Sequence, residues 1–331
     1  MSKNSRVWIV IVNYRTAELV VNCLRSLFGQ IDALSGGRVL VVDNASGDGS
    51  EATLSDAVER EGSQNWVNIL PLDRNGGFAF GNNAGIRIAK AAPAGCDYLF
   101  LLNPDTLVRP NAISALVDFM ERHPAVGIAG SQLENAEGGE ECSAHQFHSP
   151  LGELAEGARF GVLDRLLKNH LVTPPPRNDA HRCDWVSGAS MIIRRGVFED
   201  IGFLDEGYFL YYEEEDFCRR AVSAGWEVWY VPQSRVMHLE GASTGIRAKA
   251  KRRAKYWYDS RRRFYVKHYG VIGLAIADLL WTIGRTTLIL RRLIGLGGRS
   301  VRNDPAWFMP DLLWGDLKAF LTGQVWRIRQ A

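Results

Sequence analysis

Arg6-Val7-Trp8-Ile9-Val10-Ile11-Val12-Asn13-Tyr14 decides the fold. A short, unbroken apolar run stopped by Asn13-Tyr14 reads as a strand buried on both faces. Thr16 can cap a following helix, whose Leu19, Val20, Cys23, Leu24, Leu27 and Phe28 keep the 3.6-residue period. A second strand over residues 38–42 ends at Asp43-Asn44-Ala45-Ser46-Gly47-Asp48-Gly49-Ser50. A third, over 67–70, runs out into Asp73-Arg74-Asn75-Gly76-Gly77-Phe78. Helix 79–91 leads to a fourth strand, 98–102, ending at Asn103-Pro104-Asp105; Pro110 then opens a helix and strand 126–129 closes the series.

This alternation predicts an α/β fold, a mostly parallel central sheet with flanking helices. Ligands of such sheets bind beyond the carboxyl ends of the strands. Those ends carry Asn13, Asp43, Asn75 to Phe78 and Asn103 to Asp105. Each cluster alone is an ordinary turn; together they outline one pocket. Residues 131–182, with the triplet Pro174-Pro175-Pro176, read as loop-rich and without a role. A strand over 185–194 and another over 227–231 follow.

Between them lies Gly207-Tyr208-Phe209-Leu210-Tyr211-Tyr212-Glu213-Glu214-Glu215-Asp216-Phe217-Cys218-Arg219-Arg220. On a helix, residues 214, 217, 218 and 221 share one face, which reads Glu, Phe, Cys, Ala. Glu214 is then the carboxylate on the apolar face, and Asp216 has the spacing of an i,i+4 ion pair with Arg220. A half-buried carboxylate is a candidate general base, because desolvation raises its pKa. The same run also reads as an acidic first turn complementing the helix dipole.

The Gly-rich phosphate loops G-x-x-x-x-G-K-[ST] and G-x-G-x-x-G are both missing after the first strand. A bound diphosphate would instead be neutralised by a divalent metal. Asp105 at a strand tip is an apt ligand, and His238 could supply another, favouring manganese. Each also has an ordinary reading, as a turn acid and a surface imidazole. Five scattered cysteines with no C-x-x-C pair argue against a disulfide or zinc framework and fit a reducing compartment. The first six residues run straight into a strand, with no signal peptide visible.

These motifs in this order resemble the inverting family 2 glycosyltransferases of GT-A fold, and within them the bacterial rhamnosyltransferase-like branch. The carriers span residues 6–245: Ile11-Val12-Asn13-Tyr14, the 41–50 segment, Asn75 to Gly85, Leu102-Asn103-Pro104-Asp105, Gly188-Ala189, the acidic helix, and His238-x-x-Gly241-x-Ser243. The resemblance implies that Val12, Asn13, Tyr14, Asp43, Asn44, Asn75, Gly76, Asn82, Asn103 and Asp105 bind the nucleotide-sugar. It makes Asp105 the surviving carboxylate of a D-x-D motif and, with His238, the metal site for Mg2+ or Mn2+. It places the base motif on Glu213-Glu214-Glu215-Asp216, with Glu214 at the base position and Asp216 as a competing catalytic candidate. Gly188, Ala189 and Asp205 fall on the acceptor side. The implied reaction moves a sugar, L-rhamnose from dTDP-L-rhamnose or else a hexose from a UDP donor, onto a surface polysaccharide or lipid-linked saccharide.

The overall charge of +2 hides an asymmetry. Residues 247–302 hold 15 Lys/Arg against Asp259 and Asp278, a balance of +13 that leaves −11 elsewhere. Residues 1–245 therefore read as the catalytic domain and 246–331 as a basic helical region. Its alternation of cations with aromatics, Lys255-Tyr256-Trp257-Tyr258 and Arg261-Arg262-Arg263-Phe264-Tyr265, suits a nucleic acid or an anionic membrane. The next segment, 271–296, favours the membrane: it is apolar except for Asp278, Arg285, Arg291 and Arg292, of which Asp278, Arg285 and Arg292 form one polar stripe with Thr282, too interrupted to span but suited to the interface. Packing on the catalytic domain or on a second subunit is the other use of such a helix. The expectation is a cytoplasmic enzyme, peripheral on the inner face of the cell membrane, that does not bind nucleic acid.

Overall fold

The computed structural model describes residues 5–93, 95–175, 177–239, 252–296 and 304–330, apart from the side chains of residues 32, 33, 329 and 330. Gly241, Ser243 and the cations over 247–251 therefore lie outside the described residues. The described residues form two compact units. One lies within Met1–His145, Pro175–Phe209 and Glu213–Arg247, the other within Gln146–Pro174, Leu210–Tyr212 and Ala248–Ala331.

The first unit begins with β1 (Val7–Asn13), α1 (Ala17–Leu27), β2 (Val39–Asp43), α2 (Ser50–Arg60), β3 (Val67–Pro71) and α3 (Gly77–Ala91). Then come β4 (Tyr98–Leu102), β5 (Thr106–Val108), α4 (Ala112–Arg122), β6 (Val126–Glu134), β7 (Glu140–Glu141) and β8 (Ala144–His145). After α5 (Pro150–Ala158) and α6 (Gly161–Leu166), which belong to the second unit, it resumes. β9 (His181–Cys183), β10 (Trp185–Val186), β11 (Ser190–Arg194), α7 (Arg195–Ile201), α8 (Glu213–Ser223) and β12 (Glu227–His238) complete it.

The main sheet runs β3-β2-β1-β4-β11-β6-β12-β5. Its first four strands are parallel, as the alternation predicts. The far half is mixed: β11 lies antiparallel between β4 and β6, while β12 runs parallel to β6 and antiparallel to β5. β1 shows why an apolar run makes a central strand. Val7, Ile9 and Ile11 join a core with Val20, Leu24 and Leu54 from α1 and α2, while Val10 and Val12 point the other way, into α3. There a Cβ on Gly81 would stand 2.8 Å from Val12, and one on Gly85 2.7 Å from Val10. Small residues let α3 lie directly on the strand.

The expected loop over 131–182 is corrected. Strand β6 continues to Glu134, and the segment supplies β7, β8, α5 and α6 besides β9. Thr16 also behaves differently from a cap: its hydroxyl donates to Asn13 Oδ1 at 2.9 Å.

The second unit holds α5, α6, α9 (Lys255–Leu293), α10 (Phe308–Leu321) and α11 (Gln324–Gln330). Ser149 caps α5 by accepting from the Gly152 N–H at 3.1 Å. α9 breaks at Gly270, whose φ of 71° and ψ of 179° interrupt the helical backbone. Its interior is ionic. Arg261 is fully buried against Glu153 at 3.1 Å, Asp278 at 2.8 Å and Asp316 at 3.5 Å. Arg262 pairs with Asp259 at 2.7 Å and with Asp316. The basic-aromatic alternation is thus largely core, because Arg261, Arg262, Tyr258, Phe264 and Tyr265 are all buried. The polar stripe is reversed as well: Asp278 and Arg285 turn inward, Arg285 meeting Asp304 at 3.0 Å.

Candidate active site

The carboxyl edge of the sheet gathers the candidate residues. Asn13 ends β1 directly opposite Asp43 at the end of β2. The Asn13 amide donates to Asp43 Oδ1 at 2.6 Å, and its oxygen accepts from the Thr16 N–H at 3.1 Å. Ser46 binds both carboxylate oxygens, by its hydroxyl at 2.5 Å and its N–H at 3.1 Å. Asn13 is fully buried, so it spends its side chain holding Asp43 and the α1 entry. Next to it, the Asn44 amide donates to Asn75 Oδ1 and to the Gly77 carbonyl, both at 3.0 Å. The Gly76 N–H points to Asn44 Oδ1 at 3.4 Å. Gly77 has φ of 88°, and a Cβ there would stand 2.0 Å from the Phe209 carbonyl oxygen. Only glycine permits that turn and that approach.

Val12 packs on Gly81, whereas Tyr14 stands exposed with Arg15 over its ring at 5.2 Å. The Asn82 amide donates to the Phe78 carbonyl at 3.0 Å, within its own helix. Its neighbour Asn83, which the sequence reading passed over, ties down the loop before the acidic helix. Asn83 Nδ2 reaches the Leu204 carbonyl at 2.8 Å and Glu206 at 2.9 Å, and its oxygen accepts from the Leu204 N–H at 3.1 Å. In that loop Asp205 closes a turn by accepting from the Gly207 N–H at 2.9 Å.

The next group is built where β11 pairs with β4. The Asn103 N–H donates to the Ala189 carbonyl at 3.0 Å, which places Gly188-Ala189 beside the Asn103-Pro104-Asp105 turn. Asp105 is buried, and its Oδ1 lies 3.4 Å from His238 Nε2. The β12–β5 pairing sets this contact, because His238 stands opposite Thr106. Among the described residues, no cluster of three or more His, Cys, Asp or Glu could hold a metal ion. The Asp105–His238 pair still fits a divalent cation: a carboxylate and an imidazole suit Mn2+ or Mg2+ when substrate phosphates complete the shell.

α8 carries the four carboxylates, and they separate. Asp216 is fully buried and committed to Arg220 at 2.9 Å, with the Tyr208 hydroxyl at 3.4 Å. Arg220 in turn donates to the Ile201 and Phe203 carbonyls at 2.8 and 2.9 Å. The expectation that Glu214 is the inward acid is corrected: Glu213, Glu215 and Asp216 are buried more deeply, and Glu214 alone keeps a partly open side. Desolvation is nevertheless the main force on it. Burial raises its pKa to about 7, opposed by hydrogen bonds from its own N–H and from the Gly188 N–H. Among the described residues its Oε2 has no hydrogen-bond partner. The adjacent Glu213 carboxyl is pushed well above the usual carboxylate range, by burial first and by Glu214 second. The chain enters α8 through Tyr211 and Tyr212 at φ of 71° and 69°, a costly conformation for bulky residues that no sequence pattern announces.

A carboxyl poised near neutrality, held by Gly188 beside a strand turn that carries an Asp–His pair, can accept a proton next to a bound diphosphate. The family model "Glycosyltransferase like family 2" matches residues 5–258. The chain belongs to this family. Its GT-A fold, rhamnosyltransferase-like branch and hexosyltransferase class follow from its relatives and structural neighbours taken together. The transferase is 32% identical over 218 residues to the N-acetylglucosaminyl-diphospho-decaprenol L-rhamnosyltransferase of Mycobacterium tuberculosis, covering 62% of this chain and 68% of that one. It is 23% identical over 293 residues to the dTDP-rhamnosyl transferase RfbF of Shigella flexneri, covering 87% and 89%. The mannosyltransferase PcManGT of Pyrobaculum calidifontis, solved with GDP-Man and Mn2+, superposes with a TM-score of 0.55 at 13% identity, over 99% of this chain and 85% of that one. Residues 1–349 of S. aureus TarS superpose at 0.53 and 13% identity, over 97% and 82%.

Proposed function

We propose that the protein is a metal-dependent, inverting rhamnosyltransferase that uses dTDP-L-rhamnose and an acceptor hydroxyl on a surface polysaccharide or lipid-linked saccharide. The observation that carries this reading is Glu214, a carboxyl with a pKa of about 7 anchored by Gly188 beside the Asp105 turn. Similarity to enzymes named for rhamnosyl transfer supports the donor, with UDP-hexoses as the competing donors.

The residues divide the work. Glu214 takes the proton of the acceptor hydroxyl as that oxygen bonds to the anomeric carbon. The bond from that carbon to the diphosphate breaks on the opposite face, so the configuration inverts and the nucleoside diphosphate leaves with the electron pair. Asp105 and His238 would hold the divalent cation, which when bound supplies charge neutralisation for the leaving group. Asp43, fixed by Asn13 and Ser46, and the Asn44–Asn75–Gly76 group form the nucleotide side. Asp216 is a positioning residue: its ion pair with Arg220 fixes the helix that presents Glu214.

The helical C-terminal region, expected over 246–331, would hold the enzyme on the anionic inner face of the cell membrane, where an envelope acceptor is assembled. Arg261, Arg262 and three aromatics of the basic run are core residues and offer no surface to the competing nucleic-acid reading.

The test is a donor panel with dTDP-L-rhamnose, UDP-glucose and UDP-galactose, with Mg2+, with Mn2+ and after chelation. The expected result is nucleoside diphosphate release from the rhamnose donor, lost with chelator and restored by either ion. Release that ignores chelation would remove the metal from the proposal, and preference for a UDP-hexose would remove rhamnose.

A further inference from the structure

We infer that the helical unit sinks the outer face of α9 and α10 into the hydrocarbon edge of an anionic bilayer. This deepens the membrane association proposed above and rests on it. A helix of a soluble protein turns its apolar stripe inward and its charges to water. α9 departs from this: its covered side holds Leu274, Ala277, Trp281 and Leu288 as well as its charges, and its outer side is apolar too. Between Ile272 and Leu290 the only charged residues are Asp278 and Arg285, and both face inward, to Arg261 at 2.8 Å and Asp304 at 3.0 Å. Outward stand Ile272 (76% exposed), Ile276, Leu279 (58% exposed), Ile283 and Leu290, spaced along one helical face. α10, packed on α9, adds Trp314 (66% exposed), Leu317, Phe320 and Leu321. Soluble monomers rarely expose apolar surface on this scale without a partner for it.

Three further features say that the partner is lipid. Charges paired inside a bundle with apolar groups outside is the pattern of protein in contact with acyl chains. α5 and α9 meet through glycines: a Cβ on Gly284 would stand 2.5 Å from the Leu154 carbonyl, and one on Gly157 2.5 Å from that of Trp281. Small residues at helix crossings serve where packing, rather than the hydrophobic effect, holds helices together. The rim of the face also has interfacial chemistry. Arg291 and Arg292 end α9, Lys318 stands among the exposed apolar residues of α10 with a stem long enough to carry its charge to the headgroups, Arg327 lies on α11, and the indoles of Trp307 and Trp326 stand exposed. Cations and tryptophans suit anionic headgroups. A second copy of the chain offers a poorer match to those cations, because all four acids of α9 and α10 (Asp259, Asp278, Asp311 and Asp316) already pair with arginines. By length and apolar composition alone α9 would also pass as a membrane-crossing helix; it is assigned to one leaflet because Asp278 and Arg285 on its covered side already pair within the unit.

The experiment is flotation of the full chain with vesicles of phosphatidylcholine and phosphatidylglycerol in equal parts, at low salt and at ~1 M salt, where surface electrostatics are screened within about 3 Å. The expected result is flotation under both conditions, and at least a ~10-fold loss of bound protein in both for Ile276→Asp combined with Ile283→Asp. Both positions are exposed, so an unchanged thermal transition and unchanged nucleoside diphosphate release confirm that the variant is folded. Release of the parent protein at high salt would overturn insertion and leave only headgroup attraction. Failure to float at either salt would overturn the peripheral association too, without bearing on sugar transfer. A variant that floats like the parent, or a lipid-free dimer that the variant dissociates in light scattering, would also overturn it, the latter by showing that a second copy covers the face.

Discussion

Glu214→Gln separates catalysis from stability, because the carboxyl proposed as the base also destabilises the fold. Burial raises the Glu214 pKa from 4.5 to about 7. At ~1.36 kcal/mol per pKa unit, that displacement sets a ceiling of roughly 3 kcal/mol on what the ionised carboxylate costs the folded state. Below pH 4.5 both folded and unfolded chains hold the proton, and the site contributes nothing to the pH dependence. From pH 4.5 to about 7 the folded chain retains a proton that the unfolded chain has released, so stability falls as pH rises. Above 7 the full cost is present. The glutamine variant carries no such cost. Its stability should match the parent near pH 4.5 and exceed it at pH 8 by up to that ceiling, several degrees in transition temperature. Transfer should move the other way. The parent rate should climb with pH and level off above about 7, while the variant falls ~10²–10⁴-fold and loses that inflection. Denaturant titrations at the two pH values and single-turnover transfer measure both halves. A variant with near-parental transfer would refute the base assignment. Equal stability differences at pH 4.5 and pH 8 would refute the buried-carboxylate argument.

Arg220→Met should destabilise the catalytic unit by roughly 3–5 kcal/mol in urea titration, since it strands buried Asp216 and two backbone carbonyls. The folded fraction should keep the inflection near pH 7 that Glu214 supplies; loss of the inflection with the fold intact would transfer the base role to Asp216. Gly77→Val should cost at least ~1–3 kcal/mol by overpacking against the Phe209 carbonyl, and should weaken donor binding measured by calorimetry. Parental stability in that variant would show that the turn tolerates a side chain.

Much of the catalytic unit was legible in the chain. Val7 to Val12 read as a two-sided buried strand, and Ile9 and Val10 do pack on opposite layers. Asn13, Asp43 and the 103–105 turn were placed at strand ends before any contact was known, because side-chain period and turn chemistry are local. The reading over 131–182 failed for the same reason: β6 and β8 are held by strands farther along the chain, β7 is a two-residue strand resting on β6, and such short stretches carry no period of their own. Asn83 stayed invisible because its value lies in Leu204 and Glu206, more than a hundred residues away.

Local pattern determined that strands and helices alternate, which polar residues stand at the strand ends, that four acids open one helix, and that residues 271–296 make a two-faced helix. Tertiary structure decided the rest. The insertion of β11 against β4 put Gly188 where its N–H meets Glu214, and Asp216 is held by Arg220 and Tyr208. Periodicity shows that a helix has an apolar and a polar side without saying which one is covered. In α9 the answer came from Arg261, whose buried charge draws Asp278 and Asp316 inward and leaves the isoleucines outside. An unpaired buried charge costs more than exposed hydrocarbon, so the ion pairs set the orientation of the helix.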